Sequence, residues 1–245
     1  AYALMCASAG KPVYVEKPMA RNHQECLEMI AACNEAQVPL FVAYYRRALP
    51  RFLKIKALLE ADTLGSIRLV STVNRQMPLK PAATLPWRVL PEISGGGLFL
   101  DLGSHTLDIL DFLLGPICEA EGHASNQAGL YPAEDIVTGS FVFASGVQGT
   151  GSWCFSAYDH LDLIEIIGSK GKLSFSTFGS EPIVLTTSQG ETLFPVENPQ
   201  HIQQPLIQTI VDELNGSGRC PSHGESAART SWVMDRLIAG YVRQK

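Results

Sequence analysis

The chain changes its hydrophobic period part-way along, and that change limits the folds open to it. The first stretch reads strand, helix, strand. Pro12-Val-Tyr-Val is followed by a helical run from Asn22 to about Ala36, then by Leu40-Phe-Val-Ala-Tyr-Tyr after Pro39. Two apolar runs joined through a helix form a βαβ unit, which implies a parallel sheet. A helix from Pro50 to about Ala61 and a strand from Ile67 to Arg75 come next. Beyond Ile117 the pattern is short β-like runs: 117–125, 135–144, 147–156, 161–167 and 172–176, then a hairpin of 183–187 with 191–196. Turn signals such as Ala144-Ser-Gly and Gly168-Ser-Lys-Gly separate them, so a largely antiparallel sheet is expected. Two helices, about 202–214 and 224–242, close the chain. The fold class is therefore α/β followed by α+β. The boundary falls near residues 46–50, giving one unit of 1–47 and a second of 48–245. The reading leaves open that the last helix packs back on the first unit.

Between these regimes lies Ser94-Gly-Gly-Gly-Leu-Phe-Leu-Asp-Leu-Gly-Ser-His-Thr-Leu-Asp108. It reads as one helix from the glycines to Gly115-Pro116, where glycine and then proline stop it. Asp101 and His105, four apart, share a face of such a helix, with Asp108 almost on the same line. A carboxylate beside an imidazole suits proton transfer, because the carboxylate orients the ring and stabilises its charged form. The same spacing also suits an ordinary surface pair. The three glycines favour the chemical reading, since they let a ligand approach the backbone.

Lys17, in Glu16-Lys17-Pro18, ends the first parallel strand, and ligands of open α/β sheets bind outside such ends. The bond to Pro18 is a candidate cis peptide that would fix the direction of the lysine. Tyr44-Tyr45-Arg46-Arg47 ends the next strand at the same edge. An arginine there either grips an anionic or polyhydroxylated ligand or makes a salt bridge at the domain junction. Trp87-Arg88 lies in a loop of four prolines, 77–93, and either lines a pocket or pins the loop. The other histidines read as structural, with His160 a weaker pocket candidate. No GxGxxG follows a strand.

Composition narrows the partners. The 245 residues carry a net charge of −5 without a basic run, which argues against nucleic acid or an anionic membrane surface. No apolar stretch is long enough to span a bilayer. Six scattered cysteines without CxxC spacing point to reduced thiols in the cytoplasm and away from a metal site. Val137, Phe141 and Phe143 alternate with Ile136, Val142 and Ala144, so both faces of the sheet carry apolar residues. Helices cover one face, and a second subunit is expected on the other, making a homo-oligomer; the alternative is that the C-terminal helices cover that face.

Taken together, Glu16-Lys17-Pro18, Tyr44-Tyr45-Arg46-Arg47 with Pro50, Trp87-Arg88 and the Ser94–Asp108 stretch resemble the Gfo/Idh/MocA oxidoreductases. The resemblance implies an N-terminal Rossmann domain that binds NAD or NADP. It also implies a C-terminal α+β domain with a large, mostly antiparallel sheet through which members commonly pair. Residues 1–47 would then be the C-terminal part of the Rossmann domain, with its main cofactor loop upstream of residue 1. An apolar helix opening the chain without a cap agrees with that. The resemblance carries nicotinamide and substrate positioning to Lys17, substrate contact to Asp101 and proton exchange to His105. Glu16, Pro18, Arg46, Trp87 and Arg88 join Lys17 as the expected cofactor set. Tyr45 and Arg47 join Lys17, Asp101 and His105 as the substrate set. The expected reaction is hydride exchange between nicotinamide and a secondary alcohol of a sugar or polyol, with His105 taking the hydroxyl proton and Lys17 polarising the oxygen. A catalytically idle sugar- or protein-binding module on the same fold is the alternative.

Overall fold

A computed structural model of the chain describes residues 1–80 and 84–241. Pro81 of the expected loop and residue 242 of the expected last helix lie outside the described residues.

The first unit comprises helix α1 (Tyr2–Ser8), strand β1 (Val13–Val15), helix α2 (His23–Glu35) and strand β2 (Leu40–Val42). β1 and β2 pair in parallel, with Val13 opposite Leu40 and Val15 opposite Val42. Asn22 caps α2 as expected, its side chain accepting from the Glu25 N–H at 2.9 Å. The reciprocal half of the capping box is absent. The Glu25 carboxylate takes the Arg21 N–H and guanidinium instead, because an ion pair is the stronger bond on offer.

A 3₁₀ turn, Tyr45–Ala48, leads from this unit into α3 (Pro50–Glu60), with Pro50 at the first helical position. Strand β3 (Ile67–Arg75) follows, then a short helix α4 (Pro91–Ser94) and helix α5 (Ser104–Leu114). Strands β4 (Ile117–Ser125), β5 (Ile136–Phe143), β6 (Gln148–Cys154), β7 (Leu161–Gly168), β8 (Gly171–Phe175), β9 (Ile183–Thr187) and β10 (Gly190–Phe194) come next. Helices α6 (Gln204–Leu214) and α7 (Gly224–Leu237) close the chain.

β3 to β10 form one eight-stranded sheet in the order β10-β9-β8-β7-β3-β6-β5-β4. Its neighbours pair antiparallel except β3 with β6, which run parallel. Alternation sends Val70, Val137, Phe141, Trp153, Ile164, Ile166, Leu173 and Phe175 to one face, all buried. Phe99, Leu107, Ile109 and Leu110 pack in the same core. Phe99 meets Trp153 edge-on at 5.0 Å between ring centres, worth about 0.5–1.5 kcal/mol beyond area burial.

α7 covers the β4–β5 side of that face at unusually close range. A Cβ at Gly139 would lie 2.4 Å from a Leu237 methyl, and one at Gly122 would lie 2.6 Å from the Leu237 carbonyl. Glycine at both sites is thus a packing requirement. α7 also reaches the first unit. Ser222, just before it, donates to the Val42 carbonyl at 2.8 Å and accepts from the Val42 N–H at 3.1 Å. Ala227 and Ala228 share a core cluster with Cys26, Cys33 and Val42. The opposite sheet face, with Leu69, Val73, Leu161, Leu163 and Val142, stays partly open.

Candidate active site

The site forms where the C-terminal end of β1 and the 3₁₀ turn after β2 meet the segment leading into α5. That segment is not the continuous helix expected from sequence. Gly95 adopts φ +86°, a left-handed conformation that ends α4. The chain then passes through a π-helical turn, Phe99–Gly103, before α5 begins at Ser104. Such widened turns cluster at functional sites. The glycines serve close approach here: a Cβ on Gly97 would lie 2.5 Å from the Glu134 carbonyl oxygen. Buried Glu134 also accepts the Gly97 N–H at 2.7 Å. Sequence reasoning missed Glu134, whose only signal was an acidic residue opening an apolar β run.

Asp101 lies in the π turn and collects two cations. Lys17 Nζ is 2.5 Å from Oδ1 and Arg88 Nε is 3.0 Å from Oδ2. Lys17 Nζ also donates to the Asp101 carbonyl at 3.1 Å, an oxygen that accepts from Ser104 Oγ at 3.0 Å. The side chains of Lys17 and Asp101 keep 14% and 21% of their surface exposed, so the pair is held yet open to a ligand. The Lys17–Pro18 peptide is cis. Glu16 faces solvent, where Gln203 donates to its Oε1 at 3.2 Å. Trp87 is 52% exposed and lies under the Arg88 guanidinium, 4.6 Å from ring centre to Cζ.

The expected Asp101–His105 pair is not formed. His105, 4% exposed, has Arg46 as its partner, with Nη1 2.9 Å from Nδ1. The aromatic edges of Tyr44, Tyr45 and Phe178 enclose the ring. Burial, then the charges of Arg46 and Lys17, hold the His105 pKa well below 6.5. The expectation had been a carboxylate that stabilises the imidazolium. The π turn and the two cations claim Asp101 instead, and His105 rests neutral among positive charges.

Two further residues of the expected sets have protein partners. Arg46, expected in the cofactor set, has its guanidinium engaged within the protein. Its Nε donates to the Thr177 carbonyl at 2.9 Å, and its guanidinium lies between the Tyr45 and Phe178 rings. Arg47, expected in the substrate set, is spent on buried carboxylates. It is 4% exposed and bidentate on Asp108, with further donation to Asp111 and the Pro221 carbonyl. Arg229 of α7 grips Asp111 from the other side at 2.8 Å. Burial pushes the Asp108 pKa up to about 6, against the pull of Arg47. Adjacent residues of a 3₁₀ turn point roughly 120° apart, so Arg46 and Arg47 meet different partners. The junction salt bridge, left open in the sequence reading, is what Arg47 makes. Asp108, expected beside Asp101 and His105, belongs to this network.

Thr177 and Phe178, just past β8, were not anticipated. They close the far side of the His105 pocket, where Thr177 Oγ1 also meets Thr106 Oγ1 at 3.2 Å. Beyond Phe178 opens a cavity of about 510 Å³ that His160, Asp162, Ser176 and Glu181 help to line.

Two family models match the chain. One, described as an oxidoreductase family with an NAD-binding Rossmann fold, matches residues 1–44. The other, the GFO/IDH/MocA C-terminal domain, matches residues 52–174. Oxidoreductase P35 of Formosa agariphila is 36% identical over 239 residues, covering 96% of this chain and 73% of that protein. The chain belongs to the GFO/IDH/MocA oxidoreductase family. Myo-inositol 2-dehydrogenase of Thermotoga maritima, also similar, is 30% identical over 194 residues, or 77% of this chain and 56% of that protein. Among solved structures, aldose-aldose oxidoreductase of Caulobacter crescentus, complexed with glycerol, superposes with a TM-score of 0.85 at 21% identity, covering 99% of this chain and 75% of that one. Levoglucosan dehydrogenase with NADH and levoglucosan gives 0.84 at 20% identity, covering 96% and 72%. At those identities the superpositions establish the GFO/IDH/MocA fold: a small parallel sheet joined to a large, mostly antiparallel one.

Proposed function

We propose that this chain carries the reaction site of a nicotinamide-dependent dehydrogenase acting on a secondary alcohol or ketone of a sugar or polyol. One observation carries the reading. Lys17, at the ligand edge of the parallel sheet, is bound to Asp101 from 84 residues later, and His105 sits one turn beyond. The relatives named as inositol and levoglucosan dehydrogenases support the substrate class.

The residues present fit the nicotinamide end of NAD or NADP. Glu16, Lys17 and Pro18 follow β1 at the strand end where α/β sheets bind dinucleotides, and Trp87 and Arg88 stand across from them beside Asp101. When bound, the cofactor supplies the hydride acceptor or donor. Lys17 then presents an ammonium to the reacting oxygen and offsets charge that develops there. Asp101 orients Lys17 and offers its carboxylate edge to substrate hydroxyls. The aromatic enclosure of His105 keeps water from the ring. A cytoplasmic site of action fits six free thiols. A second copy of the chain on the open sheet face completes the assembly, with the same patch used twice.

The test is direct. Express the product of the complete gene, supply NAD and NADP with a panel of inositols, aldoses and anhydrosugars, and follow reduced nicotinamide. Turnover with at least one polyol is expected. A well-folded protein inert toward the whole panel, in both directions, overturns the reading.

A further inference from the structure

The Arg46–His105 contact has a direction. A guanidinium has N–H groups and no acceptor, so at 2.9 Å the shared proton belongs to Arg46 and His105 Nδ1 supplies the lone pair. A neutral imidazole with Nδ1 as acceptor carries its own proton on Nε2. Neither ring nitrogen then has a lone pair free for a substrate proton.

Arg46 is itself fixed. It is buried, its Nε is spent on Thr177, and two rings clamp its plane. The groups facing His105 reinforce the arrangement. Arg46, Tyr44 and Tyr45 approach from the 3₁₀ turn, Lys17 from the end of β1, and Phe178 from beyond β8. The charges that act on the ring, Arg46 and Lys17, are both cationic. Asp162 and Asp108 act on Arg46 and help to keep its guanidinium charged.

We propose that Arg46 is a positioning residue that locks His105 as the neutral Nε2–H tautomer, so that His105 serves the substrate oxygen as a hydrogen-bond donor while the Lys17–Asp101 pair carries the proton. The substrate part of this rests on the dehydrogenase reading above; the tautomer does not. In alcohol oxidation the O–H bond breaks and its proton passes to the Lys17–Asp101 pair: Lys17 hands one of its ammonium protons to the Asp101 carboxylate as it takes the substrate's, so the pair ends as ammonium and carboxylic acid. The C–H electron pair leaves as hydride to the oxidised nicotinamide, and the oxygen lone pair forms the carbonyl. His105 Nε2–H stabilises the alkoxide character on the way and keeps its own proton. A neutral imidazole acting as a donor rather than a base is an established enzymatic device.

The test begins with this chain alone. Label it with ¹⁵N-histidine, record long-range ¹H–¹⁵N spectra at neutral pH, and identify His105 by its loss in His105→Gln. A single neutral tautomer with Nε2 protonated is expected, persisting as the solution is acidified past the point where exposed histidines titrate. An Nδ1–H tautomer, or an imidazolium at neutral pH, overturns the proposal. Arg46→Met should release the lock, giving a tautomer mixture and a higher titration point, and Arg46→Lys should restore part of it. If Arg46→Met does not fold, the wild-type spectrum still decides. Turnover of the complete gene product is the second arm. Glutamine places an N–H near the Nε2 position and cannot take a proton. His105→Gln should therefore keep turnover within about tenfold of wild type while His105→Ala loses about a hundredfold or more. Equal losses mean that His105 is the base. Absence of any turnover in the wild type would strike the dehydrogenase reading and leave the tautomer result standing.

Discussion

Lys17 Nζ lies 2.5 Å from Asp101 Oδ1 and 3.1 Å from the Asp101 carbonyl oxygen, so one ammonium binds a residue through both its side chain and its backbone. A point charge held at two oxygens has little freedom left, which is what a group aimed at a reacting oxygen requires. Replacing Lys17 with Met removes the charge and the donors at nearly constant volume. Turnover of the complete gene product should fall by about 10²–10⁴-fold with the fold intact, as judged by circular dichroism and initial rates. A loss under tenfold would remove Lys17 from the chemistry.

Arg47 is predicted to matter for stability instead. It is the hub of a buried network with Asp108 and Asp111 that ties the 3₁₀ turn to α5. Arg47→Met leaves two carboxylates buried without their main partner, and unfolding free energy in urea should drop by about 3–5 kcal/mol. Asp108→Asn placed on top should cost much less than it does alone, because the two changes act on one network.

The pH dependence of stability separates His105 from Asp108. His105 has a depressed folded pKa, so the unfolded chain takes up the proton first as pH falls below 6.5. Its contribution is present above that value and drains away on acidification. Asp108 runs the other way, since burial raises its pKa from 3.8 to about 6. Its contribution is present below 3.8 and is lost as pH rises through about 6. Thermal unfolding of wild type and His105→Gln at about pH 7 and about pH 5 cancels the common Asp108 effect. The wild type should lose more stability than the variant over that interval; parallel losses would show that His105 is not held neutral.

The open sheet face predicts association. A charge at Leu163 or Val73, in the middle strands β7 and β3, should convert an oligomer to monomer without lowering the melting temperature of the isolated subunit. Sedimentation velocity at micromolar concentration reads this. A wild-type chain running cleanly at 26.6 kDa would contradict it.

These 245 residues carry no GxGxxG after a strand, and that loop is what grips a pyrophosphate at a helix N-terminus. Calorimetry of the 245-residue chain with NAD and with NADP should therefore show no micromolar binding. Micromolar affinity would place the cofactor elsewhere than the Lys17 edge.

Local periodicity made the elements legible. Every strand of the large sheet was anticipated to within a few residues, because each has one buried face and a turn signal at its end. Lys17, Asp101 and His105 stood out by type and spacing. Their partners did not. Asp101 binds Lys17 and Arg88, and His105 binds Arg46, through a π turn that no residue pattern announces. The opposite fates of Arg46 and Arg47 were equally hidden, since a 3₁₀ turn sends neighbouring side chains to different sides. Thr177 and Phe178 join the site only because β8 ends beside α5, a fact of topology rather than composition.

β3 stands between β7 and β6, yet it precedes both in the chain. The strands on its two sides, β4 to β6 and β7 to β10, have no ladder with each other except through it. During synthesis β3 therefore emerges with both hydrogen-bonding edges bare. It waits roughly 80 residues for β6 to supply one neighbour and a little longer for β7 to supply the other. Two hairpin-built halves that form quickly on local contacts must then close on this one early strand, a long-range pairing that costs time. β3 is the seam of the domain. Its backbone amides should be among the slowest to exchange with solvent once the protein is folded, and a chain that misfolds should do so by leaving that seam unclosed.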